Sequence, residues 1–356
     1  MTTVGSLIDR PASAARGSDY AQLSKRVKDA GLLDRRSGYY TFKIIVTVLA
    51  FAGAWVAFVV IGPSWWQLGI AALLAVLYTQ VAFIGHDAGH KQIFRTRRAN
   101  YLLGVALGNL CVGLSYGWWI DKHNRHHAHP NEVGSDPDIE PGVLVFTSRH
   151  APLRSGALRL WQRLQAYTFF PLLLLEGLNL HVASVRALAG ATVRSRGYRA
   201  LEITLFAVHT VGYLAVVFLV LPPWQAIAFI AVHQALFGLY MGCSFAPNHK
   251  GMPVLTADDD LDYLRRQVLT SRNIRGGRLV DFLLGGLNYQ IEHHLFPNMP
   301  RPNLRRSQQL IRRFCAEHGV SYAETGRLLA SYRQVLRHLH EVGRPSAGPT
   351  PRTQKG

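Results

Sequence analysis

The chain has 356 residues, a formal net charge of +18 and a mean hydropathy of only +0.08. Its apolar residues form a few long runs with basic residues between them, which excludes a uniformly packed globule and indicates a polytopic membrane protein with sizeable soluble parts. Because the basic residues flank the apolar runs, membrane topology explains them, and we expect contact with membrane lipids and no nucleic-acid partner.

Residues 1–42 carry several basic side chains before the first apolar run. This segment lacks the short apolar core and the small-residue cleavage site of a removable signal peptide. We therefore expect it to be a cytoplasmic N-terminal segment. The excess of Arg over Lys favours a bacterial source, which would place the protein in the plasma membrane.

The first long apolar run extends from Ile44 to Gly85 without Asp, Glu, Lys or Arg. It is about twice the ~20 residues that a helix needs to cross a bilayer. Gly62-Pro63-Ser64 interrupts it, and tryptophans suited to a membrane interface follow. The pattern predicts two membrane helices, over about 43–62 and 66–85, joined by a tight turn.

A second charge-free run extends from Ile203 to Asn248 and is divided by Pro222-Pro223-Trp224. It predicts helices over about 201–221 and 225–244. Both hairpin turns lack Lys and Arg, so the positive-inside rule puts both termini and the central loop in the cytoplasm.

Two shorter apolar stretches lie between the hairpins, at 101–119 and 167–180. If 101–119 crossed the membrane, the histidines on its two sides would lie on opposite faces and could not share a site. We therefore interpret 101–119 as re-entrant or interfacial, and 167–180 as interfacial. The predicted fold is an all-α polytopic membrane protein with four transmembrane helices in two hairpins.

The C-terminal part is expected to form a cytoplasmic helical cap. Thr256 is predicted to cap a helix over 258–267, and helical patterning with many arginines extends over 303–340. We assign one domain to 43–340 and a disordered tail to 341–356, where Gly, Pro, Ser and Thr predominate. The cysteines are not at metal-site spacing, which argues against an iron–sulfur cluster.

Histidines are unevenly placed among the 16 in the chain. His86-Asp87-Ala88-Gly89-His90 ends the second predicted helix, and its two histidines share one helix face. His123-Asn124-Arg125-His126-His127 and Gln290-Ile291-Glu292-His293-His294 repeat this geometry. His249 stands alone just beyond the fourth predicted helix. All four elements fall on one membrane face, which indicates a metal site; imidazole suits iron, zinc and copper.

The three clusters HDAGH, HNRHH and QIEHH resemble, in this order, the three histidine boxes of membrane fatty-acid desaturases. The glutamine that opens the third cluster is similar to front-end (Δ5/Δ6-type) desaturases and to their bacterial linoleoyl-CoA desaturase-type relatives. Asn248-His249 and the stretch from His126 to Asn131 also resemble that branch.

The resemblance implies a non-haem di-iron centre that uses O₂. The iron ligands that it implies are His86, His90, His123, His126, His127, His249, His293 and His294. Gln290 would ligate weakly or through water, or leave a more open site. The candidates for orienting these side chains are Asp87, Asn248, Asn131, Asp136, Asp138 and Glu292.

His209 and His233 lie within predicted membrane helices, far from the cytoplasmic boundary, and we expect them to form hydrogen bonds between helices. The remaining histidines lack cluster geometry. We interpret His129 as a side chain that either orients a ligand or is solvated. We interpret the other five histidines as non-ligands: His150, His181, His318, His338 and His340.

The resemblance implies an activity that introduces a cis double bond into an acyl-CoA or acyl-lipid chain. Removing hydrogens from an unactivated methylene pair requires a metal–oxygen oxidant rather than side-chain acids and bases. No haem-binding His-Pro-Gly-Gly motif is present, so we expect electrons, ultimately from NAD(P)H, to arrive through a ferredoxin or similar donor with its reductase.

Three other functions remain open at this point. A hydroxylase or ketolase would use the same scaffold. A metal transporter would place its ligands within the spans, whereas these clusters lie outside them. A non-catalytic lipid-binding scaffold would keep the histidines without the reaction.

Overall fold

The computed structural model describes residues 18–151, 154–190 and 196–344. These residues are mostly helical, with two short strands as the exception to the predicted all-α fold. In chain order the elements are α1 (Asp19–Asp29), α2 (Ser37–Ile61), α3 (Gln67–Gly89), α4 (Arg97–Val105), a π-helical segment (Ala106–Val112), α5 (Tyr116–Ala128), α6 (Gly156–Leu173), α7 (Glu176–Ala189), α8 (Arg196–Val220), α9 (Pro223–His249), α10 (Tyr263–Leu269), β1 (Asn273–Ile274), α11 (Arg278–Leu283), α12 (Gln290–Leu295), α13 (Arg301–Glu317), β2 (Glu324–Thr325) and α14 (Leu328–Gly343).

Within the described residues, four helices are long and apolar enough to cross a membrane, and they are the predicted ones: α2, α3, α8 and α9. Of the most apolar stretch of each helix, 61% is buried in α3 but only 6% in α8. Helix α3 is thus the central helix, packed against α2 and α9, while α8 exposes an apolar surface suited to lipid.

Two of these helices are longer than predicted. Helix α2 begins at Ser37 rather than 43, because its first turns are held by protein contacts: Tyr40 is buried and donates a hydrogen bond to Gln92 Oε1 at 2.6 Å. Helix α9 continues to His249 rather than ending at 244, so His249 is the last helical residue and not a loop residue.

Pro247 lies inside the last turns of α9 and cannot donate a backbone hydrogen bond. The carbonyl oxygen that would accept it belongs to Cys243. The Tyr332 hydroxyl of α14 donates to that oxygen at 2.8 Å, so a side chain replaces the missing bond. This contact allows the helix to continue through the proline to His249.

The stretch predicted to turn back is bent by 115° between Arg97–Val112 and Tyr116–Ala128. Gly113 makes the turn with a φ of +77°, a conformation that disfavours side chains. The stretch predicted to be interfacial is also bent, by 81° between α6 and α7. Both bends fit segments that do not cross the membrane as straight helices.

The polar end of the bundle is covered by a cap built from α1, α10, α12 and α13 around a separate hydrophobic core. The predicted helix over 258–267 is wrong in its start, because Asp262 rather than Thr256 caps α10, accepting from Arg265 N at 2.8 Å. Thr256 instead bonds Asp259 in a turn.

The helical pattern over 303–340 corresponds to two helices, α13 and α14. Residues 318–327 separate them and include strand β2. Strand β2 pairs in parallel with β1, Asn273 opposite Glu324 and Ile274 opposite Thr325. Most of the predicted tail lies outside the described residues, which end at 344. The three cysteines are unpaired.

Candidate metal centre

The candidate histidines lie at the ends of four helices that meet between the membrane bundle and the cap. Helix α3 ends with His86 and His90, and α9 ends with His249. The short helices α5 and α12 carry the other two clusters. Helix α12 is packed within the cap, and the whole of Gln290–Leu295 is buried.

The structure brings four imidazoles together as a first imidazole group. Its members, whose nearest ring nitrogens all lie within 4.8 Å of one another, are His86, His90, His123 and His293. The Nε2 atoms of His90 and His123 are 2.9 Å apart. The i, i+4 spacing of His86 and His90 therefore brings both rings to one point, as the sequence predicts.

A second imidazole group lies beside the first and consists of His126, His249 and His294, again within 4.8 Å. The Nε2 atoms of His126 and His249 are 3.3 Å apart. His127 stands between the groups: its Nε2 is 3.1 Å from that of His123, and its ring stacks on that of His294 with centroids 4.2 Å apart.

The groups fit a metal site because several of their ring nitrogens are buried without a hydrogen-bond partner among the described residues. Within the described residues, His86 Nε2, His294 Nε2 and both ring nitrogens of His293 are buried without a hydrogen bond. Orphaned buried polar atoms are costly unless something else binds them.

Burial, and then the neighbouring imidazoles, hold the pKa of His127, His293 and His294 well below the ordinary value. These rings are therefore neutral, which is the form that binds a metal ion.

Each member of the second group has its Nδ1 atom held from outside. His126 Nδ1 donates to Asp136 at 3.0 Å, and His249 Nδ1 donates to the Thr270 carbonyl at 3.0 Å. His294 Nδ1 lies 2.9 Å from Gln267 Oε1. With a proton on each Nδ1, every Nε2 lone pair points to the centre.

Burial lowers the pKa of His126, but the Asp136 carboxylate outweighs burial and the net pKa is raised. Sequence reasoning named Asp136 but missed Gln267 and Thr270. Nothing in the sequence marks these two, because α10 reaches the site only through tertiary packing.

In the first group, Asp87 is the outer partner that the sequence predicts, 3.3 Å from His86 Nδ1. The Asp87 carboxylate is itself buried and paired with Arg301 at 2.7 Å, and the Tyr40 hydroxyl oxygen lies 3.1 Å from it. Arg301, which begins α13, was missed because an arginine in an Arg-rich helix carries no special signal.

Three residues that were predicted to orient a ligand do not fix an imidazole ring in the way that Asp136 fixes His126. Asn131 supports the loop, donating to the His249 carbonyl at 3.2 Å. Asp138 pairs with Lys122 at 2.5 Å and lies 3.6 Å from His126 Nδ1.

Glu292 accepts hydrogen bonds from Asn273 at 2.6 Å and from Tyr322 at 2.7 Å. These two hydrogen bonds tie α12 to the cap. Burial raises the pKa of this carboxyl to about 7, although the two hydrogen bonds lower it.

Gln290 takes part in the second group through its amide. Asn248 Nδ2 donates both to the Leu287 carbonyl at 3.1 Å and to Gln290 Oε1 at 3.2 Å. The Leu287 oxygen can only accept, so it fixes the Asn248 amide and in turn the Gln290 oxygen. The Gln290 NH₂ group consequently faces His249 Nε2 at 2.9 Å.

Apart from His249, the histidines outside the three sequence clusters lie outside both imidazole groups. His209 Nδ1 is 2.9 Å from the Leu110 carbonyl, and His233 Nδ1 is 3.0 Å from the Tyr213 hydroxyl. These contacts confirm the predicted hydrogen bonds between elements within the membrane bundle. His129 pairs with Glu132 at the surface.

Residues 63–326 match the family model described as "Fatty acid desaturase". The chain belongs to the fatty acid desaturase family. Members of this family are oxygen-dependent oxidoreductases. The matched region contains all three histidine clusters and His249, so the two imidazole groups lie within the part of the chain that defines the family.

The curated relatives are front-end desaturases. The chain is 31% identical over 322 residues to an acyl-lipid (9-3)-desaturase of Physcomitrium patens, covering 87% of this chain and 59% of the moss protein. It is 30% identical to a Delta(5) fatty acid desaturase of Caenorhabditis elegans, covering 88% and 72%. An acyl-lipid 8-desaturase of Rebecca salina is 32% identical, covering 92% and 75%.

Proposed function

We propose that this chain is an oxygen-dependent desaturase that introduces a cis double bond into an acyl-CoA or acyl-lipid chain. The observation that carries the proposal is the convergence of eight histidines, all but His123 buried, at the end of an apolar helix bundle, where they form two adjoining groups with His127 between them. The family membership and the desaturase names of the relatives support it.

The two imidazole groups are proposed to hold two iron ions, with His127 between them. Bound iron would activate dioxygen and supply the oxidising power that removing hydrogen from a methylene pair requires. The protein's part is to aim the ring nitrogens inward. Asp136, Gln267 and the Thr270 carbonyl do this for the second group by holding each Nδ1 atom.

Gln290 is proposed to act as a hydrogen-bond donor at the second group rather than as a ligand. Its oxygen is engaged by Asn248, so its NH₂ group is the part that faces the centre. An N–H in this place can steady an oxygen-containing group beside the second iron without occupying a coordination position.

The substrate is proposed to enter with its acyl chain between the membrane helices and its phosphate-bearing head group at the polar end. A cavity of about 390 Å³ lies beside Gly89 and is lined by Lys91, Arg97 and Arg98 among others. Three cationic side chains around one cavity suit phosphate oxygens.

The same end of the bundle is proposed to face the cytoplasm of a bacterial cell and to receive electrons from a separate ferredoxin-type donor with its reductase. The excess of basic over acidic residues would attract an acidic donor.

Product analysis tests the proposal. A host that makes no polyunsaturated lipid is given this chain and a ferredoxin system, and double bonds are located in its fatty acids. We expect a new double bond with the wild type, none with His294→Ala, and wild-type product with His340→Ala, which lies outside both groups.

A hydroxylated or keto product would establish the alternative oxidation on the same scaffold. An unchanged lipid profile that is the same with and without His294 would favour a non-catalytic lipid-binding protein. Metal flux into vesicles would indicate a transporter.

A further inference from the structure

A row of aromatic rings leads from the protein surface to the first imidazole group. It begins at Tyr198, which is 38% exposed, and continues through Tyr101 and Tyr116 to Trp119. Successive ring centroids are 4.6, 5.6 and 5.9 Å apart. Three of the four rings, all but that of Trp119, line the cavity beside Gly89.

The inner end of the row touches the proposed ligands directly. The Trp119 ring stacks on that of His123, with centroids 4.6 Å apart and an angle of 18°, and it lies 5.7 Å from the His86 ring. Gly89 makes this approach possible, because a Cβ atom there would come within 2.9 Å of the indole. Gly104 likewise leaves space for the Tyr116 ring.

The two middle tyrosines of the row, Tyr101 and Tyr116, differ in where their protons can go. The Tyr101 hydroxyl donates to the Glu202 carboxylate at 2.7 Å. Glu202 is fully buried, and its other oxygen accepts from Ser115 Oγ and Gly117 N. The Tyr116 hydroxyl is buried without a hydrogen-bond partner among the described residues.

A tyrosine gives up an electron readily only when its proton can leave at the same time. Tyr101 has a carboxylate to receive the proton, whereas Tyr116 has no acceptor and can serve only as the contact between its neighbours. Tryptophan has no such requirement at the indole ring. In the row, Tyr198, Tyr101 and Trp119 can therefore hold a radical, and Tyr116, between Tyr101 and Trp119, cannot.

From this arrangement we infer a further function: Trp119, Tyr101 and Tyr198 form a redox chain that discharges the centre when oxygen is activated without an acyl substrate. This inference rests on the proposed function, which supplies the dioxygen-derived oxidant. An empty cavity leaves Tyr198 open to solvent, whereas a bound head group would cover the row.

The electrons and protons balance at each step. Trp119 would give one electron to the oxidant, with a proton from water accompanying it, and Tyr101 refills Trp119 with one electron while the Tyr101 proton passes to Glu202. Tyr198 then gives an electron to the Tyr101 radical, the proton returns from Glu202, and Tyr198 loses its own proton to water. In each such passage of one electron, a small thiol at the surface donates a hydrogen atom to Tyr198 and becomes a thiyl radical. Two such passages would supply the two electrons and two protons that discharge one dioxygen-derived oxidant, and the two thiyl radicals from two passages pair into one disulfide.

A second aromatic cluster offers a matched control. Tyr20 and Tyr263 also contact each other, edge to face with centroids 4.6 Å apart, but their hydroxyls donate to the backbone carbonyls of Leu295 and His294. A carbonyl oxygen is a poor proton acceptor, so this cluster should not hold a tyrosyl radical.

The test uses the full-length, iron-loaded protein in lipid nanodiscs without an acyl substrate. The protein is reduced with dithionite, mixed with dioxygen and freeze-quenched, and radicals are recorded by electron paramagnetic resonance. Deuterated tyrosine assigns the signal. Oxygen uptake and iron content are measured on the same samples.

We expect a tyrosyl signal in the wild type that is lost in Tyr101→Phe and retained in Tyr20→Phe. Glu202→Gln keeps the side-chain shape but removes the proton acceptor, so the signal should form more slowly. Tyr198→Phe, a change at an exposed residue, should lengthen the lifetime of the signal. Peptide analysis should find more oxidation at Trp119 in Tyr101→Phe than in the wild type.

Equal signals in the wild type and Tyr101→Phe would overturn the inference, as would oxygen uptake with no tyrosyl signal. If Tyr101→Phe fails to load iron, an unchanged lifetime in Tyr198→Phe overturns it instead. Absence of oxygen uptake by the reduced wild type without substrate would overturn the redox chain alone, because the proposed function is tested separately by the double bond found in product analysis.

Discussion

The two imidazole groups are held in different ways. The second group, formed by His126, His249 and His294, is fixed by hydrogen bonds to each Nδ1 atom. The first group relies on ring packing: the His86 ring lies 4.7 Å from that of His90 and 4.8 Å from that of His293. Its one carboxylate partner, Asp87, depends in turn on Arg301.

The difference teaches that the second group is preorganised atom by atom, whereas the first is positioned as a packed unit at the end of α3. Changes in hydrogen-bond partners should therefore act on metal binding at the second group. At the first group they should act mainly on the stability of the helix ends that carry it.

The largest effect on stability is expected for Arg301→Met. It leaves the buried Asp87 carboxylate without its partner, which should cost about 3–5 kcal/mol of unfolding free energy. Denaturant unfolding in detergent measures it. The control is Arg305→Met, because the exposed pair of Arg305 with Asp281 is worth about 1 kcal/mol or less. Equal losses in both variants would contradict the central role of Asp87.

Asp136→Asn is expected to weaken iron binding at the second group. It keeps the size of the side chain but removes the charge that holds the His126 Nδ1 proton, which should cost about 10–100-fold in metal affinity. Iron titration against a chelator measures it. Glu292→Gln is the control, since Glu292 faces the cap and should change the affinity much less.

Gln290→Ala separates a hydrogen-bond donor from a ligand. If Gln290 is a hydrogen-bond donor, its removal should lower the rate of product formation while the iron content stays at the wild-type value. A fall in iron content comparable with that of His249→Ala would show that Gln290 is a ligand after all.

The smallest effect is expected for Tyr332→Phe. The lost hydrogen bond to the Cys243 carbonyl should cost about 1 kcal/mol of stability and loosen the turn that carries His249. Thermal unfolding measures it. If the stability does not change, α9 continues through Pro247 without support from α14.

Much of this organisation is predictable from the sequence because it depends on local patterns. Long charge-free runs identify the four membrane helices, and i, i+3 and i, i+4 spacing identifies the clustered imidazoles. The bend after Gly113 follows from the need to bring two clusters to one site.

The rest depends on contacts between distant segments. Gln267, Arg301 and Tyr332 act only because α10, α13 and α14 fold over the helix ends, and no periodicity records that. For the same reason Glu292, although it lies within a cluster, turned out to face the cap, and His249 proved to be helical.

Iron stoichiometry tests the account most directly. Purified wild-type protein, reconstituted with ferrous iron, is expected to bind two iron ions per chain that are spin-coupled in the Mössbauer spectrum after oxidation. His249→Ala should lose the coupling, while His340→Ala should retain it. One iron per chain, or two uncoupled irons in the wild type, would contradict a centre built from two adjoining imidazole groups.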